Sequence, residues 1–534
     1  GPVLSISPDS GVFTETLMNR QSPPMRFTFS NAGTGSLDIT LTGIGGTDAD
    51  CFVLQEGNSY PIHLTTNLAS VDISHQAQRS GPHSAYLLVR DNLTRTDHQI
   101  PLSGTTIGLN TLAAISFNAE SEYAEIPSAA PLQSLSAFTI EIWLRWDSTG
   151  TIQFVTAKAL EELEIHTTTN NSLRFIPTTG VYLDAPPNVL IPGRWHHIAC
   201  VYDPSVPLGK VYVDGIDTEA ENHGSHLLTQ PVMNSGAALR FGSRAGGAYQ
   251  LQGALDEARL WNRALSAEEI RNLMHLRQAS GTPSLVANWR MNEENGSKLW
   301  DEVNHLHGSL INMEPEDRID SEALIGSGIA VTQMLSTIGQ NYDFGETGLS
   351  FIPDQLDAPG YVTVTRLDNL GGRVANPSWI MQVYDTSTRT GRLNLASMED
   401  LWEYYLPERN FGLHERSAFL SAEWSQTLSA DQVDLEQDLV SYPGFSVGVK
   451  QLRSLWQRLE LLSPKNIAVT EMDGELTITW DAVPGADTYR IYSSDDPLSG
   501  FEEDDSGYLE DCSWSTTAAA AKRFYHVIAE CATW

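Results

Sequence analysis

Strand-length runs of alternating apolar and polar residues predict an all-β chain built as tandem β-sandwiches. Tyr361–Arg366 and Trp379–Tyr384 are such runs, rich in β-branched and aromatic residues and punctuated by Gly371-Gly372 and Asn376-Pro377. The clearest helix signal is confined to one place. Ser266 and Glu269 have the spacing of a capping box, and Leu265 and Ile270 that of the hydrophobic staple across it. The 534 residues suggest three or four domains at roughly 150 residues each, every one large enough to bury a core.

Composition narrows the function classes. Hydrophobic residues make up 41% and charged residues 19%, which is ordinary for folded material and argues against long disordered spans. The 67 acidic and 32 basic residues give a formal net charge of −35, a field that repels phosphate backbones, so no nucleic-acid partner is expected. No apolar run reaches about 18 residues, so no membrane span is expected. Gly1-Pro2 reads as a protease-cleavage remnant, so the start of the chain carries no information about targeting. Cys51, Cys200, Cys512 and Cys531 have no metal-ligand spacing. Cys200 sits in an apolar strand and reads as a buried thiol. Cys512 and Cys531 either pair, if their strands face each other, or stay as two thiols.

Residues 3–106 read as all β. Pro24–Leu41 forms two alternating strands around Asn-Ala-Gly-Thr-Gly, with later strands at Ser84–Arg90 and His98–Leu102. This pattern resembles the immunoglobulin-like domains of bacterial surface proteins, of the anchor D and hydin types, which act as spacers or stalks. In residues 107–315, Gly253–Trp261 alternates as a strand and runs into the capped helix start. Ile115–Tyr123, Phe138–Trp143, Gly193–Tyr202, Lys210–Gly215, Leu239–Gly242 and Leu285–Glu293 follow in order. Together they resemble the laminin-G-like jelly roll, a concanavalin A-like sandwich that hosts lectins, adhesion modules and enzymes alike. Residues 320–460 read as a further β-sandwich without an assigned family, in which Asp400–Leu406 is either a short helix stopped by Pro407 or a strand. Residues 462–534 resemble a fibronectin type III domain, through Ser463–Val469, Leu476–Trp480 with Asp481–Gly485, Tyr489–Tyr492 and Arg523–Ile528. No repeat of fixed period is present.

The jelly-roll resemblance implies a calcium site at Asn118, Ser121, Glu122 and Asp256. A hard cation there would draw on carboxylate and carbonyl oxygens. Asn118-Ala119 stands where that family usually has Asp-Gly, which removes one carboxylate and a glycine's backbone freedom. The resemblance also raises hydrolysis, which needs two carboxyls about 5.5 Å apart for retention or about 6.5–9.5 Å for inversion. Glu162 and Glu164 would share a strand face, but in the Glu-x-Asp-x-Glu pattern of the glucanases the second catalytic position is His166. No catalytic residue is therefore expected. His196 and His197 point to opposite strand faces and read as core. Asp431–Asp438 and Glu502–Asp505 read as solvated acidic turns. Tyr182, His223 and Tyr249 read as loop side chains available for stacking on a pyranose.

These observations point to a non-catalytic, secreted or cell-surface multidomain protein of bacterial type. The jelly roll would recognise a glycan or a protein ligand in adhesion, with the other domains as spacers. The alternatives are a non-catalytic accessory part of a larger secreted hydrolase or peptidase, and a structural component of a surface layer. Oligomeric state is not legible.

Overall fold

The structure is a computed structural model. It describes residues 1–55, 61–110, 113–119, 121–147, 150–205, 209–224, 232–244, 249–369, 378–396, 411–416, 425–434, 437, 439–447, 454–459, 464–483, 486, 488–496, 501–517 and 523–530. The protein is all β, 54% strand and 4% helix. It forms two compact units. The first holds residues 1–213, 218–264 and 280–321; the second holds 214–217, 265–279 and 322–534. The helical segment 265–279, expected within the jelly roll, thus packs with the second unit. The segment Asp400–Leu406 and the residue Cys531 lie outside the described residues.

In the first unit, Met25–Asn31 and Leu37–Gly45 do not form a hairpin. The Asn-Ala-Gly-Thr-Gly turn instead carries the chain from one sheet, where Met25–Asn31 pairs with Ala69–His75, to another, where Leu37–Gly45 pairs with Gly81–Asp91. Phe27 and Phe29 from one sheet and Leu37, Ile39, Leu87 and Val89 from the other meet in a shared core.

The next two sheets of this unit face each other across a larger core. One runs through Lys210–Val213, Trp195–Tyr202, Phe138–Trp146, Gly253–Trp261, Ala113–Phe117 and Arg318–Asp320, with Leu285–Trp289 also on Gly253–Trp261. The other is nine-stranded, from Glu221–His223 at one edge to Lys298–Leu299 at the other. Alternation sets which side chains enter the core. Phe138, Ile140, Ile142, Leu144 and Trp146 point in from one strand, and Ile198, Cys200 and Tyr202 from its neighbour. Leu173, Phe175, Val181 and Leu183 come from the opposing sheet. Cys200 is fully buried, which raises its thiol pKa, so it is inert as expected.

The intervening residues of the central strand carry an unusual group. Glu141 is fully buried. Trp261 Nε1 donates to its Oε2 at 2.7 Å, His197 Nε2 lies 3.4 Å from its Oε1, and Arg259 is its cross-strand partner. Burial pushes the Glu141 carboxyl up. The His197 contact, the Arg259 guanidinium and the Trp261 N–H outweigh that and hold it below the ordinary range, so it is ionised.

In the second unit the capping box forms as the sequence predicts. Ser266 Oγ accepts from Glu269 N at 3.2 Å, and Ser266 N donates to Glu269 Oε2 at 2.8 Å, starting the helix Ala267–Leu273. Arg271 leaves this helix to lie 4.1 Å over the Tyr384 ring, while its Nε donates to Gly215 O. Two antiparallel sheets of this unit enclose Phe351, Val362, Val364, Trp379 and Tyr442. Trp480, Tyr489 and Trp514 form a further core, in which Val483 N donates to the Tyr489 hydroxyl at 2.7 Å.

Two stability predictions follow from buried charge in the first unit. Glu141→Leu takes the acceptor from the buried Trp261 N–H, while Arg259 keeps Glu257 at 3.2 Å, and should lower unfolding stability by about 1–3 kcal/mol in urea titration. Glu293, 2% exposed, is raised from 4.5 to about 7 by burial, against the Trp300 N–H and Arg318. Between those two values the folded chain holds a proton that the unfolded chain has lost, so stability should fall as pH rises through the window. Thermal midpoints of Glu293→Gln, compared with wild type across the same window, should lack this slope.

Candidate functional site

The outward face of the nine-stranded sheet concentrates polar and aromatic groups. Because Leu173, Phe175, Val181 and Leu183 point into the core, Arg174, Tyr182 and Asp184 point out. Tyr182 and His223 were expected in loops, but they lie on strands, Val181–Asp184 and Glu221–His223, directly opposite each other. Strands of four and three residues are too short for a clear alternation signal, and Pro and Gly flank the first of them.

These side chains form one fixed constellation. Arg174 donates to both carboxylate oxygens of Asp184, at 2.5 and 2.7 Å, and its guanidinium sits 5.7 Å from the Tyr182 ring centre. The Tyr182 hydroxyl donates to Glu161 Oε1 at 2.7 Å, which raises its pKa. His223 Nε2 is 3.4 Å from Asp184 Oδ2. Tyr182, Arg174 and Asp184 are half-buried and His223 is exposed, so the group is both held in place and reachable. An aromatic ring beside fixed donors and acceptors suits a sugar ring, whose C–H face stacks while its hydroxyls take up hydrogen bonds. Sequence reading missed Arg174, Asp184 and Glu161; the only signal of Arg174 and Asp184 was an outward position at every second residue, and Glu161, in a turn at positive φ, gave none. Tyr249 lies elsewhere, 50% exposed and 5.7 Å from the Phe154 ring.

The structure does not bring the four calcium candidates together. Phe117 pairs with Gly253 and Ile115 with Leu255, so Asp256 is level with Ala114, four positions from Asn118. At about 3.4 Å per residue, that separates them by about 13 Å along the sheet. Glu122 Oε2 accepts from Asn118 N at 2.7 Å and Ala119 N at 2.9 Å, closing its own loop. The Asn118 amide donates to Asp317 Oδ1 at 2.6 Å, and the Ser121 carbonyl accepts from Asn312. Asp256 instead accepts from Ser321 Oγ at 2.6 Å. Four oxygens so dispersed, with an N–H at position 118 turned to a carboxylate, do not fit one cation.

Glu162 and Glu164 do not share a strand face. Glu161 and Leu163 take positive φ, 56° and 50°, and regular strand begins only at Glu164. The two carboxylates engage different cations. Lys158 Nζ donates to Glu162 Oε1 at 3.1 Å, and Arg244 Nε donates to Glu164 Oε1 at 3.1 Å. Burial raises the Glu164 carboxyl above its usual range. His197 and His196 are both buried, in keeping with the core reading, and His196 Nε2 accepts from Ile191 N. Of the acidic turns, Asp431 is paired with Arg392 at 2.6 and 2.9 Å, and Asp504 accepts from Ser506 N.

Asn118→Asp would set a carboxylate against Asp317 in place of an amide. In the presence of EDTA it should lower the thermal midpoint by several degrees, as a loss of about 1–2 kcal/mol does in a domain of this size.

No curated protein matches the chain. Among solved structures, a Bacteroides ovatus protein assigned a carbohydrate-binding role is similar at 13% identity and a TM-score of 0.33, over 60% of this chain and 99% of that one. A heptameric pentraxin from Limulus polyphemus is similar at 14% identity and a TM-score of 0.24, over 30% of this chain and 82% of the other. The extracellular region of zebrafish Gpr126/Adgrg6 is similar at 10% identity and a TM-score of 0.28, over 90% and 63%. Residues 118–271 match the Laminin_G_3 family of the Concanavalin A-like lectin/glucanases superfamily, and with the two facing sheets described above this part of the chain is a concanavalin A-like domain.

Proposed function

We propose that the protein is a non-catalytic glycan-recognition protein of the cell surface or extracellular space, with its concanavalin A-like domain as the binding head. The observation that carries this reading is the Tyr182–Arg174–Asp184–His223 constellation, braced on strands at the open edge of the nine-stranded sheet. Arg174 is matched by Asp184, and the remaining charge beside Tyr182 is the Glu161 carboxylate, which suits an uncharged polyol better than an anion. The carboxylates that a glucanase would use, Glu162 and Glu164, are engaged by Lys158 and Arg244. The flanking sandwiches would serve as immunoglobulin-like and fibronectin-like spacers, which is consistent with their separate cores. No helix among the described residues is long and apolar enough to cross a membrane.

A glycan array, read with calcium and with EDTA, tests the proposal. The expected result is a set of hits that EDTA leaves intact, and that Tyr182→Ala weakens at least about tenfold, roughly 1.4 kcal/mol. Binding lost in EDTA would place recognition at a cation site and overturn the role given to Tyr182. Release of reducing sugar from any bound glycan would overturn the non-catalytic reading.

A further inference from the structure

A concavity lies within the first unit, by the edge of the nine-stranded sheet opposite to Tyr182. Segment 14–24 of the N-terminal sandwich and segment 298–307 border a cleft of about 760 Å³. That volume is in the range of ligand pockets, about 300–1,000 Å³. Trp300 lines it, half-exposed and so not part of the core. The His307 ring meets Trp300 edge-on at 4.6 Å, and the Lys298 ammonium lies 5.2 Å from the Trp300 ring centre. His305, exposed, lies 5.8 Å from His307 between ring centres.

The loop bearing these groups is locked from beneath. Asp301 is fully buried, and its carboxylate accepts from the backbone N–H groups of Asn288, Val303, Asn304 and Leu306 at 2.9–3.1 Å. Asp301 N donates to His307 Nδ1 at 3.1 Å, which leaves the other ring nitrogen of neutral His307 as the one carrying the proton. Trp300 N donates to Glu293 Oε1 at 2.8 Å. Across the cleft, Arg20 Nε donates to Glu302 Oε1 at 2.7 Å, tying the N-terminal sandwich to the loop. The aromatic and its polar neighbours are therefore preorganised, and a ligand need not freeze them on binding.

We propose that this cleft is a second saccharide site, in which a neutral pyranose stacks on Trp300 and is hydrogen-bonded by Lys298, His305 and His307. The ligand class follows from the inventory. A ring for C–H stacking stands beside donors and acceptors that are mostly uncharged, with Gln21, Ser22 and Gln55 also on the wall. Arg20 is paired with Glu302, and the wall also carries Lys298 and Glu15, of opposite sign. The buried Asp301 carboxylate is taken up by backbone N–H groups, so the cleft has no surplus of positive charge, and a chain of net charge −35 disfavours anionic sugars. The site goes beyond the Tyr182 constellation, because it sits by the opposite edge strand of the same sheet, Lys298–Leu299.

Calorimetric titration of the full chain with neutral tetrasaccharides (β-glucan, xylan and mannan fragments) and with a uronic-acid tetrasaccharide tests it. Wild type should bind a neutral fragment, and Trp300→Ala should remove one binding event per chain while leaving the event lost in Tyr182→Ala. His305→Ala, at an exposed position, should weaken the same event at least fivefold. Trp300→Ala and His305→Ala titrations identical to wild type would overturn the cleft, whatever Tyr182→Ala does. A Trp300-dependent event with no effect of Tyr182→Ala would keep the cleft and remove the first site instead. Preference for the uronic-acid fragment would overturn the ligand class.

Discussion

One ionised carboxylate, Glu141, sits in the middle of a sheet where nothing but protein surrounds it. Each group that tolerates it there comes from a neighbouring strand: Arg259 and Trp261 from one side, His197 from the other. A slip of one residue between those strands would turn the partners to the opposite face and strand the charge. Apolar residues in place of the whole group, Glu141 together with its charged partners, would fill the space with less desolvation cost, so the gain is in specifying strand order and register rather than in raw stability. The nine-stranded sheet, which carries both proposed saccharide surfaces, packs on the inner face of the sheet so fixed.

Local signals were legible in the sequence wherever a short stretch settles its own conformation. The Ser266–Glu269 capping box is closed by neighbours three apart, and the alternation of Phe138–Trp146 shows its inward face directly. Pairing was not legible. The Glu141 partners lie between 56 and 120 positions away, at His197 and Trp261. The proposed calcium set failed for the same reason: the positions were taken from a family pattern, but the register of Ala113–Phe117 on Gly253–Trp261 puts Asp256 four places off. Glu162 and Glu164 misled for a different reason. Positive φ at Glu161 and Leu163 breaks the alternation, and neither residue is one whose type announces it.

The binding surfaces differ in how they obtain rigidity. Tyr182, Arg174 and Asp184 inherit theirs from strands, and a bidentate ion pair fixes the guanidinium plane. Trp300 and His307 sit beside or on a loop, which achieves comparable order by wrapping four backbone amides around the buried Asp301. Both routes remove ordering entropy before any ligand arrives.

The sheet between them also sets a distance. Nine strands leave eight intervals of about 4.8 Å, so its two edges are roughly 38 Å apart. A short fragment can occupy only one edge at a time, whereas a long polysaccharide can lie across both. For the polymer the second contact is intramolecular, at an effective concentration in the millimolar range when its length matches the span. Under the two-site proposal the sheet would act as a length gauge, and two individually weak grips would hold fibres and walls while letting their soluble breakdown products diffuse away.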